Sequence, residues 1–405
     1  MYILFPLGDM TILQSLILFL LPCRFTYDAE VFWILTGVAV RLSQRMGLHR
    51  DGKALGLAPF DVQMRRRLFF QLIPLDASAG QMTGTGIAIM PDTWDTLQPL
   101  NINDNQIWPG MTEDPEEPQA ATDMIFCMTR STLGLFFAKS GKLTIGNSST
   151  DFRHSDEIIK KAEREVEEKY IRYCDIINPL HYLTIGLARS AISAMKVRVR
   201  LPKVRNGTAT NADKKEIFQL ALKVLDTDAA AYSNASLKKY LWHAKAFFAW
   251  GAWDSLMFVL NLLRDAGVLS QEDNNAAWER IQQVYTNHGE VLGAKKALHT
   301  IAIARLALKA WENSPPTFSL PVPAFITALR EMGKRGSKKD LVSLPTTVET
   351  DGTPQTDPSS VSDTNDVFST LAGNMGLDVG DDFNLESADW VFWENLIKDY
   401  QAQGG

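Results

Sequence analysis

Between Glu157 and Ile177 apolar side chains recur every three or four residues, at Ile159, Ala162, Val166, Tyr170, Cys174 and Ile177. That spacing matches the turn of an α-helix and puts the apolar positions on one stripe. The opposite face carries Glu157 with Lys161, Arg164 with Glu168 and Glu165 with Lys169, pairs set where helix-surface charges meet. Asn178-Pro179 then marks a break, and Leu180 to Val199 reads as the next helix. Further helical stretches run from Lys214 to Ala231, Leu237 to Asp265, Gln271 to His288 and Gly289 to Glu312, with Ser314-Pro315-Pro316 ending the last. Persuasive period-two patterns are missing and no internal repeat is found. The expected fold class is all-α.

Two stretches break the pattern. Pro91 to Pro118 is rich in Pro, Asn and Asp and reads as a long connection. Lys338 to Asp366 is dominated by Ser, Thr, Pro, Asp and Gly, with too little apolar surface to offset ordering entropy, and reads as a disordered linker. Beyond it, Trp390, Trp393, Leu396, Ile397 and Tyr400 fall on one side of a short C-terminal helix. The expected division is a large helical domain over 1–335, a linker over 336–366 and an acidic-aromatic segment over 367–405. Thr11 to Pro22 is strongly apolar, but no Lys or Arg precedes Arg24 and Gly8 and Asp9 cut the run short. A core helix is expected there, neither a signal peptide nor a membrane span.

Composition narrows the function. A net charge of -6 over 405 residues gives the whole chain no basic footprint, so any phosphate contact has to be local. Cys23, Cys127 and Cys174 are the only cysteines and lie far apart. They suit a reducing compartment, and they cannot build a binuclear zinc cluster, which needs closely spaced thiolates. Phosphate-loop, dinucleotide, nucleophile-elbow and zinc-protease motifs are all missing. No catalytic, cofactor-binding or metal-ligating residue can be named, and an enzyme is not expected.

One run carries more than a periodicity. Leu35, Val38, Leu42 and Met46 share a helix face, Gly47 is a candidate helix stop, and Leu48 continues the apolar contact. After Pro59, Asp61 is placed to cap a second helix bearing Arg65-Arg66-Arg67-Leu68-Phe69-Phe70. The ordered series Gly37, Ala39, Arg41, Gly47-Leu48-His49-Arg50, Pro59, Arg65-Arg66-Arg67, Phe69-Phe70 and Asp76 resembles the middle homology region of fungal zinc-cluster transcription factors. The likeness continues through Pro99 to Asp104 and Glu167 to Asp175, then more loosely to about Glu312. Where that family often has Gly-Arg-Pro, this chain has Gly84-Thr85-Gly86-Ile87, so local geometry there is in question.

The resemblance implies a transcriptional regulator in the nucleus, controlling a metabolic or secondary-metabolite gene cluster. It implies other regulators or the transcription machinery as partners, with a homodimer possible and no membrane. DNA contact and zinc would come only through a missing or partner zinc cluster; otherwise no cofactor is expected. The alternative is a non-DNA-binding cofactor or ligand-sensing module that modulates another regulator. A missed upstream exon and a natural truncation both fit the chain's start close to the homology region.

Conspicuous residues have plainer readings beside the functional ones. His49 fits a loop-anchoring hydrogen bonder better than a ligand, and the arginine triplet fits helix bridging better than phosphate contact. Met195 to Arg205 reads as a solvated helix end rather than a DNA face. Lys334-Arg335 and Lys338-Lys339 fit a nuclear import signal as well as chance. Asp378, Asp381, Asp382, Glu386 and Asp389 beside Trp390 and Trp393 fit an activation segment or a helix folding back. Asn147, Asn206 and Asn234 start glycosylation-like triplets that mean little without a secretory signal.

Overall fold

The computed structural model describes residues 9–83, 85–90, 93–143, 149–243, 252–265, 267–289, 298–317 and 322–339. Among these residues there are helices and turns and no strand. Of the linker expected over 336–366, residues 336–339 are helical instead, and the rest of it and the acidic-aromatic segment lie outside the described residues.

Three groups of helices follow one another. The first holds α1 (Met10–Thr26), α2 (Ala29–Arg45) and α3 (Pro59–Thr83). Asp9 caps α1 by accepting the Thr11 N–H at 2.8 Å. Leu13, Ile17, Leu20, Phe32, Phe69, Leu72 and Leu75 close its core. The apolar run in α1 is only partly a core helix, since Leu18 and Phe19 face outward, as do Val31, Trp33 and Ile34 of α2. No helix among the described residues is long and apolar enough to cross a membrane. The centre of the α2 interface is also rotated from the expected stripe. Phe32, Thr36, Ala39, Val40 and Ser43 are its buried residues, and α2 packs on both α1 and α3.

The second group packs α4 (Ile125–Leu143), α5 (Ser149–Lys169) and α6 (Pro179–Arg205) around Ile125, Met128, Ile159, Ala162, Val166 and Met195. Helix α5 stops at Lys169, short of the expected Ile177. Tyr170 leaves the helical region (φ -129, ψ -58) so that Tyr170 and Ile171 can turn inward, and Ile177 is left 85% exposed. The expected Glu165–Lys169 pair forms at 2.8 Å. Asn178 caps α6 by accepting the Leu180 N–H, and Pro179 supplies the first residue without a wasted donor.

Helix α6 is shared. Ala188, Ala191, Ile192, Met195 and Val199 face the second core, while Ala194 and Val197 face the third. The third group adds α7 (Asn211–Ser233), α8 (Trp253–Arg264), α9 (Gln271–Asn287), α10 (Leu298–Asn313) and α11 (Ala324–Lys339). Its core includes Phe218, Leu225, Leu256, Trp278, Ile281, Ile303 and Phe325. Of the single helix expected over Leu237 to Asp265, the start is 3-10 in place of α, and 241–243 are helical. A 3-10 segment spans Ala235–Tyr240, α8 begins at Trp253, and 244–251 lie outside the described residues.

The basic stretch Met195 to Arg205 is not a solvated end. Met195, Val197 and Val199 are buried, and Lys196 pairs with Glu163 of α5 at 2.9 Å. Arg200 bridges Asp156 of α5 and Glu216 of α7. Alternation of burial and ion pairing fits a helix clamped from two sides.

Trp278 ties α9 to the end of α10. Its indole N–H donates to the Ser314 carbonyl at 2.7 Å, and its ring meets Trp311 edge-on at 5.0 Å. Trp278→Ala is expected to destabilise the chain by about 3–5 kcal/mol, measured by urea unfolding.

Candidate functional site

The run from Gly37 to Asp76 folds into a polar lattice between α2, α3 and the connection that follows. Helix α2 ends where Gly47 takes φ +72, a conformation that disfavours a side chain, and Leu48 then enters the core. Immediately after, Asp51 is buried and its carboxylate accepts four hydrogen bonds. Two come from Arg66 as a parallel fork, Nε and Nη2 each at 2.8 Å. The others come from the Lys53 N–H at 3.1 Å and the Leu97 N–H at 2.9 Å. Asp95 returns the contact, accepting the Asp51 N–H at 2.8 Å and pairing with Arg50 at 3.1 Å.

The other arginines bridge as expected from the plainer reading. Arg65 donates to the Met46 carbonyl at 2.6 Å, closing the α2 end, and Arg67 reaches Asp104 at 2.6 Å. All three side chains are therefore engaged within the protein. His49 differs from expectation: its Nδ1 is buried without a hydrogen-bond partner, and the anchoring contact is its backbone carbonyl, which accepts the Asp95 N–H at 3.1 Å.

The long connection is held by side chains in place of a strand ladder. Gln63 of α3 accepts the Leu100 N–H, Asn101 accepts from the Thr122 hydroxyl at 2.7 Å, and Asn103 accepts the Asp123 N–H. Apart from one 3-10 turn, Asp104–Gln106, the expected irregular conformation is found there. Arg130 of α4 donates to Gln71 of α3, linking the first two groups.

At the other end of α3, Asp76 accepts the Ala88 and Ile89 N–H groups, both at 2.8 Å. The returning chain passes so close that a side chain at Gly80 would collide with the Gly86 carbonyl. Gly86 itself has φ +78. Here Thr85 and Gly86 stand where the usual pattern has arginine and proline.

The two buried aspartates titrate oppositely. Burial raises the Asp51 carboxyl, but hydrogen bonds from Arg66, Leu97 and Lys53, with the Arg66 charge, outweigh it and hold it below the ordinary range. Burial dominates at Asp76 and pushes it up, against the Ile89 and Ala88 N–H groups. A lowered carboxyl contributes stability that is complete above its unfolded value and lost as pH falls through its folded value. A raised one contributes below its unfolded value and loses that contribution as pH rises.

Among the described residues no group of three or more His, Cys, Asp or Glu is placed to hold a metal ion. The cysteines are free, and burial pushes Cys23 up and Cys174 to about 11, with Glu167 adding to the latter, so neither is primed as a thiolate.

A second feature lies away from the lattice: a cavity of about 300 Å³ between α6 and α7, lined also by Leu237 and Ala252. Two carboxylates of α7 border it. Asp226 pairs with Arg280 of α9 at 2.8 Å, and Asp228 meets the buried His288 Nε2 at 2.9 Å. No sequence pattern marked these residues, because the pairs span separations of 54 and 60 positions.

Residues 4–150 match the fungal specific transcription factor domain. An aurofusarin cluster transcription factor of Gibberella zeae is 31% identical over 96% of this chain and 61% of its own length. The chain thus carries a fungal specific transcription factor domain and is similar to fungal cluster transcription factors. A pyriculol/pyriculariol biosynthesis cluster transcription factor of Pyricularia oryzae is 28% identical over 83% of the chain and 47% of its own length. For a transcriptional regulator of Aspergillus aculeatus the figures are 28%, 75% and 42%. The chain thus spans about half the length of these relatives. No solved structure matches it. The family signature is where the lattice sits, so in this chain the signature residues build the domain.

Two predictions follow from that division of labour. Arg66→Met leaves Asp51 buried without its cation and is expected to destabilise by about 3–5 kcal/mol. Arg67→Met, facing the exposed Asp104, costs at most about 1 kcal/mol on the same urea titration. For pH, the stability gap between wild type and Asp51→Asn is widest near neutrality and narrows as pH drops below about 4, read from unfolding curves at successive pH values.

Proposed function

We propose that this chain is the regulatory portion of a transcriptional regulator that acts in the nucleus on a secondary-metabolite gene cluster. The observation that carries the reading is the 31% identity running over 96% of the chain, far past residue 150, to a regulator named for such a cluster. A packed helical body whose arginine triplet is engaged within the protein fits a control domain better than a DNA reader. DNA contact then comes through a zinc cluster outside these 405 residues or on a partner, since three scattered cysteines cannot form one. Partners are other regulators or the transcription machinery, together with a second copy of the chain; exposed Leu18, Phe19, Trp33 and Ile34 offer apolar contact area. Import would use the basic run Lys334 to Lys339, and the helical domain extends at least to the end of α11 at Lys339, with the linker's far boundary at 366 argued from composition.

Deleting the gene in its host and sequencing the transcripts tests the function. Loss of transcripts from a contiguous set of metabolite genes, restored by the reintroduced gene, is expected. An unchanged transcript profile under conditions where those genes are expressed contradicts it.

A second reading is a cofactor that modulates another regulator without touching DNA. Promoter occupancy that disappears when a partner zinc-cluster protein is removed supports it. Specific promoter binding by the purified chain alone contradicts it.

A further inference from the structure

The cavity between α6 and α7 has a chemistry that the lattice lacks. Its walls are apolar, formed by Leu183, Leu187, Ala191, Ala230, Ala231 and Leu237. About 300 Å³ lies at the lower end of the range for small-molecule sites, so the occupant is compact. Charge decides its polar end. Asp226 and Asp228 already have cationic or imidazole partners from the α9 side, in Arg280 and His288. Arg189, which also borders the cavity, is exposed and has neither an ion pair nor a hydrogen bond among the described residues. Ser190 beside it adds a hydroxyl. Both neighbouring carboxylates are engaged, so the unmatched charge at the cavity is the Arg189 guanidinium.

We infer that this cavity binds a compact apolar acid, its ring body between α6 and α7 and its carboxylate or acidic phenolate on Arg189. The guanidinium suits an anionic oxygen because its planar N–H groups can grip two oxygens at once. Helix α6 is shared with the second core, and α7 reaches α9 through both aspartates, so an occupant would touch the joint between two helix groups. This site does not depend on the regulatory reading and can be tested on the purified full chain.

The test uses three probes of one shape: 2-naphthoate, its neutral alcohol 2-naphthalenemethanol and its cation 2-naphthylmethylammonium, titrated calorimetrically at neutral pH. Naphthoate is expected to bind about tenfold or more tightly than the alcohol, the gain of a charge-assisted hydrogen bond, with the ammonium weakest. Arg189→Met brings naphthoate to the affinity of the alcohol. Ala230→Phe fills the cavity and removes binding of naphthoate and the alcohol; circular dichroism checks its fold, and Gly186→Leu replaces it if it unfolds. Equal binding of acid and alcohol, tightest binding of the ammonium, or no binding at millimolar concentration overturns the proposal. So does a preference for the acid that survives Arg189→Met, or unchanged binding to a folded cavity-filling variant.

Discussion

The first third of this protein is organised by the Asp51–Arg66 pair. A carboxylate in a buried position is costly unless its oxygens are occupied, and Asp51 has four donors from three chain segments. Arg66 comes from α3, Lys53 from the loop after α2, and Leu97 from the connection leading to α4. One side chain thereby sets the relative position of two helices and the path of an irregular stretch. Burying an ion pair adds little net stability over an apolar pair, but removing either half leaves an uncompensated charge. The pair therefore acts mainly to select one arrangement of the chain.

The same reasoning explains why a conspicuous basic triplet does not form a basic surface. Arg65, Arg66 and Arg67 are consecutive, so on a helix they point in three directions about 100° apart. One closes a helix end, one neutralises a buried acid, and one reaches across to Asp104. A phosphate-binding face needs cations that converge, and adjacent helical positions diverge. Asp76 and Gly80, one turn apart on α3, fix the far end of the helix against the Gly86 to Ile89 return.

Much of the architecture was legible because helical periodicity and stop signals are local. Asn178-Pro179, Gly47 and Ser314-Pro315 each mark a boundary through the conformations that those residues allow or forbid. The misreadings share a cause in tertiary packing. Helix α5 ends early because Tyr170 and Ile171 are drawn into the second core, which no local spacing reveals. Helix α4 escaped notice because it follows the irregular stretch directly and has no long charged face. In the lattice, the arginines and Asp76 stood out in the sequence, while Asp51, Asp95 and Gln63 did not. Their importance lies in partners 15 to 46 residues away, Arg66 and Leu97 for Asp51 marking the two ends of that range. The α6–α7 cavity is further still from local reading, since it depends on how one helix serves two cores.

The central claim is that the family signature acts as a folding staple centred on Asp51. Amide hydrogen exchange on wild type and Asp51→Asn tests it most directly, because it reports protection segment by segment. The account predicts that protection falls at Leu97 and along 93–104 and at the α2–α3 loop, while α8 to α10 keep theirs. Unchanged protection across 93–104, or an equal loss throughout the chain, would contradict it.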